Sequence, residues 1–242
     1  MNEEDFSAFI TEGPDFLEVN PKKTALVIVD MQYDNVHPDY GAGLRMKKKN
    51  PESVKYFYDR AKEIVTPNIL RLIDFFRKKK IQIIYITFGP NLKKSSDLYD
   101  LGKVEDIKIK KIYDIPNFYP PGSIERQVIP ELKPGENDLI INKTSAGAFA
   151  TSAIDAILRN LWIKTLIFTG VATNMCVEST FREAADRSYN CVIVDDACAT
   201  YDQQSHDASI KILSQIFGKS KATQEIIDEY PWNSWIVKKE TK

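Results

Sequence analysis

The sequence is poor in the residues that metal and disulfide chemistry require. Its 242 residues include two histidines and three cysteines. Cys176, Cys191 and Cys198 are odd in number and clustered, which excludes a disulfide framework and fits a reducing compartment. His37 and His206 lie far apart and no C-x-x-C occurs, so a protein zinc site lacks ligands. A Ser-His-Asp triad would have to recruit one of those two histidines. An excess of one charge is also missing: 33 Lys+Arg face 34 Asp+Glu, so no strong net field draws the chain to nucleic acid. Apolar runs such as Ile81–Phe88 fall far short of the roughly 20 residues that a membrane span needs. The leading MNEEDFSAFITEGPDF is acidic and lacks the basic-then-apolar order of a signal peptide. These absences predict a cytoplasmic protein with neither a nucleic-acid nor a membrane partner. No P-loop, G-x-G-x-x-G or G-x-S-x-G is found, and Gly41-Ala-Gly43 lacks a third glycine and a following helix. No cofactor and no metal is expected.

What the chain does contain is an alternation of short β-branched runs and helical patterns. Thr24–Asp30, Ile81–Thr87, Asp138–Asn142, Thr165–Gly170 and Asn190–Asp196 are apolar on both alternations, as strands of a parallel sheet are. A weaker sixth strand is expected near 219–222. Between them, 54–78, 151–161, 174–188 and 203–217 repeat apolar residues at helical spacing. Pro67 should kink the first helix or start a new one, and Thr151 or Ser152 should cap the second. The alternation predicts an α/β fold: a doubly wound, three-layer α/β/α arrangement around a mainly parallel sheet of five or six strands. A chain this long buries roughly 70–75% of its unfolded surface without staples. We read one domain over 1–242, with a lead-in at 1–21. The stretches 31–53 and 89–137 do not fit the alternation. Both follow strand ends, where open α/β sheets bind ligands, so they are read as pocket walls or a lid, or equally as surface loops or oligomer contacts.

Polar residues stand at the strand ends. Asp30 closes the first strand, Lys143 follows the third, and Cys176 falls in the first turn after the fourth. In a parallel sheet these ends share one edge. A cysteine at a helix start has a stabilised thiolate, a nearby ammonium lowers its pKa further, and a carboxylate can take and return its proton. The three make a metal-free acyl-transfer set if their strands are close. A bland reading stands beside it: a strand-end Asp is often a loop cap, a Lys there often reaches solvent, and a lone cysteine is often buried filler.

ALVIVDMQ (25–32), NKTSAGAF (142–149), TGVATNMCVESTFREAADRSY (169–189) and VIVDDACAT (192–200) resemble the isochorismatase-like cysteine hydrolases, over roughly residues 22–217. The resemblance implies Asp30 as general base, Lys143 as its lysine and Cys176 as nucleophile. It implies a cis peptide between Val171 and Ala172 and an oxyanion hole formed by the amides of Ala172 and Cys176. It also suggests a homo-oligomer, dimer or tetramer. Two branches fit poorly. TFGPNLKKSSDLYD (87–100) lacks the histidines of metal-dependent nicotinamidases, and true isochorismatases lack the nucleophilic cysteine. The long lead-in, the enlarged 31–53 loop and PPGSIERQVIPEL (120–132) look more like the carbamoyl branch, which includes ureidoacrylate, biuret and N-carbamoylsarcosine amidohydrolases. The expected activity is C–N hydrolysis of a small amide or ureido substrate through a thioester-type intermediate, releasing ammonia or an amine. The alternatives are a non-catalytic binding protein and a nicotinamidase-like hydrolase. Gln32 and Phe149 are candidate substrate contacts, each with packing or loop bracing as its competing role. Asn174 is a candidate helix cap.

Overall fold

Each β-branched run becomes a strand in the computed structural model, which describes residues 13–49 and 55–237. The strands are β1 (Thr24–Val29), β2 (Gln82–Phe88), β3 (Leu139–Lys143), β4 (Thr165–Val171), β5 (Asn190–Ala199) and β6 (Lys219–Lys221). They form one sheet in the order β3-β2-β1-β4-β5-β6, and every neighbouring pair is parallel. All six residues of β1 and all seven of β4 are buried, because these central strands are covered on both faces.

Two apolar layers sandwich the sheet. On one face Leu26 and Ile28 pack with Phe57, Ile69, Leu72 and Phe76. On the other, Ala25, Val27 and Val29 pack with Ile154, Leu158, Val177 and Phe181. The first face is covered by α3, built from Lys55–Arg60, the π-helical turn Ala61–Val65 and Thr66–Lys78, together with α8 (Thr223–Asp228). The second is covered by α5 (Ile154–Asn160), α6 (the π-helical turn Thr173–Val177 and Glu178–Ala185) and α7 (Gln203–Ile212 and the turn Leu213–Phe217). Trp232 and Trp235 stack on each other and Trp232 stacks on Phe76, so PWNSW closes the protein's own core. Among the described residues no helix is long and apolar enough to cross a membrane.

Some local expectations hold and others need correction. Pro67 stands in the first turn of the segment Thr66–Lys78, which starts directly after the π-helical turn, while Val65 and Thr66 keep right-handed helical angles, so a new α-helical segment begins at the proline without a break in the chain's helical path. The wider turn just before it absorbs the missing N–H. Ala153 stands at the cap position of α5, but the Ser152 hydroxyl accepts from the amide of Ile154, the first helical residue, at 3.3 Å, whereas the Thr151 hydroxyl is engaged by the Thr144 amide at 3.1 Å. Asn174 lies inside the first turn of α6 and accepts from the Thr200 hydroxyl at 2.6 Å, so it ties α6 to β5 instead of capping. The two stretches outside the alternation contain helices of their own. They hold α1 (Tyr33–Val36) and α2 (Gly41–Lys49), which begins at Gly41-Ala-Gly43, and α4 (Asp100–Tyr113). The expected lead-in at 1–12, the start of the helix at 54 and the end of the 31–53 loop at 50–53 lie outside the described residues.

Candidate active site

Strand register decides what meets at the C-terminal edge of the sheet. β1 lies between β2 and β4, with Val29 opposite both Ile86 and Gly170. Gly170 adopts φ +109°, and a Cβ there would sit 2.1 Å from the Val29 carbonyl oxygen, so only glycine lets the two strands close up at this point. The next residue on β1, Asp30, turns out of the sheet with φ +53° while its amide still donates to Ile86. Aspartate tolerates this left-handed geometry better than most residues.

Lys143 ends β3, which is separated from β1 by β2. Its side chain crosses Phe88, with Nζ 4.4 Å from the ring centroid, and donates to Asp30 Oδ2 at 2.8 Å and to the Ser145 carbonyl at 3.2 Å. Both members of the pair are buried, and the second oxygen, Asp30 Oδ1, has no hydrogen-bond partner. Cys176 arrives from the other side, on the first turn of α6. A cis Val171–Ala172 peptide precedes this turn. The Ala172 carbonyl accepts from the amides of Met175 and Val177.

The Cys176 thiol meets both the carboxyl and the ammonium. Burial pushes this thiol up to about 12, against the pull of Lys143. The expectation that the helix start and the ammonium depress it is therefore overturned for the resting site, because desolvation outweighs both. Burial also raises the Asp30 carboxyl, with Lys143 opposing. For Lys143, burial works against the charge, but Asp30 and Cys176 more than offset it and hold its pKa above the ordinary lysine value. The resting site is a thiol beside a buried carboxylate–ammonium pair.

Asp30 and Cys176 open onto a cavity of about 450 Å³, walled by Phe88, Ala172, Phe118 and Tyr201 among others. Gln32 does not face it. Its side-chain amide donates to the Phe88 and Arg126 carbonyls at 3.1 and 2.9 Å, and its oxygen accepts from the Phe88 amide at 2.7 Å. With its bonds taken by backbone, Gln32 is a loop brace and not a substrate contact. Phe149 is likewise withdrawn: it is buried against Tyr189 in the core on the far face of the sheet. The residues that sequence reasoning missed are Asp34, Asn35, Arg45, Tyr99, Glu105 and Asn117, which line the cavity from the two wall stretches. Tyr201 stands just past the end of β5, the same strand-end signal that singled out Asp30. His206 is buried between the Thr173 hydroxyl at 2.9 Å, on the first turn of α6, and Asp195 of β5 at 2.7 Å, and so ties that turn to the sheet.

These features define a parallel α/β protein with a buried Asp30–Lys143 pair and the half-buried Cys176 gathered at the C-terminal edge of its sheet. The chain belongs to the isochorismatase family, whose domain model matches residues 24–225, and it is a hydrolase of that family. A ureidoacrylate amidohydrolase, RutB, of Acinetobacter baylyi is 29% identical over 93% of this chain and 91% of its own length. Among solved structures, a cysteine hydrolase from Pseudomonas syringae pv. phaseolicola superposes with TM-score 0.72 at 24% identity, covering 88% of this chain and 94% of that one. N-carbamoylsarcosine amidase from Thermoplasma acidophilum gives 0.59 at 23%, covering 84% and 98%.

Proposed function

We propose that the protein is a cysteine amidohydrolase that cleaves a C–N bond of a small ureido (carbamoyl) or amide compound without a metal. The observation that carries this reading is the buried Asp30–Lys143 pair beneath the Cys176 thiol at the floor of a cavity. The ureidoacrylate amidohydrolase relative supports the substrate class.

A thiol held near pKa 12 is not a standing thiolate, so proton removal accompanies attack. Asp30 Oδ1, buried and unpartnered, is the atom placed to receive the proton. As the proton leaves, Sγ bonds to the substrate carbonyl carbon and the carbonyl electrons move to oxygen. The amides of Ala172 and Cys176 serve as the oxyanion donors. Lys143 stays cationic throughout, because its donation to Asp30 holds the carboxyl in place and balances the charge as the thiolate forms. Asp30 then passes its proton to the departing nitrogen, the C–N bond breaks, and ammonia or an amine leaves. Water repeats the cycle: Asp30 takes its proton, the oxygen adds to the carbonyl carbon of the thioester or thiocarbamate, the adduct collapses with cleavage of the C–S bond to release the carboxylic or carbamic acid, and Asp30 returns the proton to Sγ.

Ammonia release over ureido acids, biuret, nicotinamide and simple amides, with chelator present, tests the reading. Turnover of a ureido compound by wild type, lost in Cys176→Ala, is expected. Comparable hydrolysis by Cys176→Ala, or dependence on a chelatable metal, would overturn it.

A further inference from the structure

The cavity has a second charged end whose chemistry the reaction does not use. Arg45, on α2, lines it from the wall opposite the strand ends. Two glycines put it there. Gly41 adopts φ +39°, and a Cβ on it would lie 1.7 Å from Asp34 Oδ1; a Cβ on Gly43 would lie 2.6 Å from the carbonyl oxygens of His37 and Pro38. The pair therefore lets α2 lie tight against the α1 segment, with Arg45 turned inward.

The Arg45 side chain is only 11% exposed, yet it has little to bind. One nitrogen donates to the Pro116 carbonyl at 2.8 Å. The Tyr119 hydroxyl stands beside the guanidinium. Its carboxylate neighbour, Asp34, stays 3.8 Å away, and Asp34 Oδ1 is occupied by the Ala42 amide at 3.1 Å. A guanidinium carries five donors in a planar fork matched to a carboxylate. Arg45 lines the cavity, and among the described residues the Pro116 carbonyl is the one hydrogen-bond acceptor its guanidinium reaches. A charged fork held by backbone, shielded from bulk water and left with free donors at the edge of a cavity is a receptor for a planar anion.

Resting on the amidohydrolase reading, we propose that Arg45 is the specificity-determining residue of the site and receives a carboxylate on the substrate, which makes the substrate a short ureido acid and not a neutral urea. Asp34 is the built-in competitor for the same fork. At 3.8 Å, with its Oδ1 already accepting from the Ala42 amide, Asp34 makes no close fork with the guanidinium, which leaves that position for a substrate anion. The other titratable groups facing this pair are Tyr58, Tyr119 and Tyr201 around it and Glu125 beyond Asp34.

The test compares ureidoacetate with 2-ureidoethanol, which share the ureido end and differ in the carboxylate. Binding is measured by calorimetry on Cys176→Ala protein, so that turnover plays no part. Ureidoacetate should bind at least about 30-fold more tightly than the alcohol, and Arg45→Gln should abolish that ratio. Arg45→Lys, which keeps the charge without the fork, should retain part of it. Asp34→Asn should tighten ureidoacetate alone. Equal affinity for the two compounds, or a ratio unchanged in both Arg45 variants, would overturn the assignment. Preferential binding of the acid with no hydrolysis by wild type would instead sink the amidohydrolase reading and leave Arg45's role standing.

Discussion

The floor of the cavity and its walls are fixed by different means. On the floor, Lys143 and Asp30 are placed by sheet register: Lys143 lies opposite Phe88, Val29 opposite Gly170, and Asp30 is still tied to Ile86. On the walls, placement depends on single side chains reaching backbone groups far away in sequence. Gln32 grips Phe88 and Arg126, Arg45 holds Pro116, and Asp106 accepts from the amides of Asn117 and Phe118. A cooperative ladder makes the floor rigid, while the walls are held by a few replaceable bonds. The reaction type accordingly belongs to the sheet, and the choice of substrate belongs to the segments laid over it.

The contrast breaks first at the floor. Asp30→Asn should lower kcat at least about 10³-fold and destabilise the fold by about 3–5 kcal/mol, because it strands the buried Lys143 ammonium. Lys143→Met should cost a similar stability by stranding Asp30. Denaturant titration of the double variant should recover more than half of either loss, since no buried charge then lacks a partner. A double variant as unstable as the sum of the singles would show that the pair is not one unit.

At the junction of floor and wall, Gln32→Leu leaves the Phe88 amide and two carbonyls without partners. A loss of about 2–3 kcal/mol is expected in chemical denaturation. Gln32→Glu, which keeps the acceptor for the Phe88 N–H but sets a buried carboxylate oxygen against the Phe88 and Arg126 carbonyls, should cost at least as much. A Gln32→Leu protein of wild-type stability with a raised KM would return this residue to the substrate contacts.

On the wall itself the expected effect is smallest and depends on pH. Asp34 has its folded pKa raised from 3.8 to about 6, so the folded protein holds this proton more tightly than the unfolded chain. The stability from that proton is fully present below pH 3.8 and is lost as pH rises through about 6. Asp34→Asn removes the loss. Relative to wild type it should gain up to about 3 kcal/mol at pH 7.5 and nothing at pH 3.5. Equal wild-type and variant stabilities at both pH values would show that Asp34 is not desolvated.

How much was legible in the sequence follows the same division. Strands announce themselves because residues such as Leu26, Val27 and Ile28 must be apolar on both faces, so Asp30, Lys143 and the segment bearing Cys176 could be assigned to one edge. What could not be read was that β2 separates Lys143 from Asp30, or that the lysine spans the gap over Phe88, since strand order is not written in periodicity. Gln32 and Phe149 misled because a residue's place in a motif does not say which way it points. Gln32 is turned to backbone and Phe149 to the core. Arg45 was invisible because its position depends on close approach at Gly41 and Gly43, which a linear reading takes for an incomplete nucleotide motif.

The covalent role of Cys176 is tested most directly by quenching the enzyme in acid during turnover of a ureido compound and measuring the mass of its cysteine peptides. A carbonyl adduct should appear on the peptide holding Cys176, be absent from those holding Cys191 and Cys198, and vanish once substrate is spent. Sustained ammonia release with all three peptides unmodified, matched by a Cys176→Ala protein, would contradict the account.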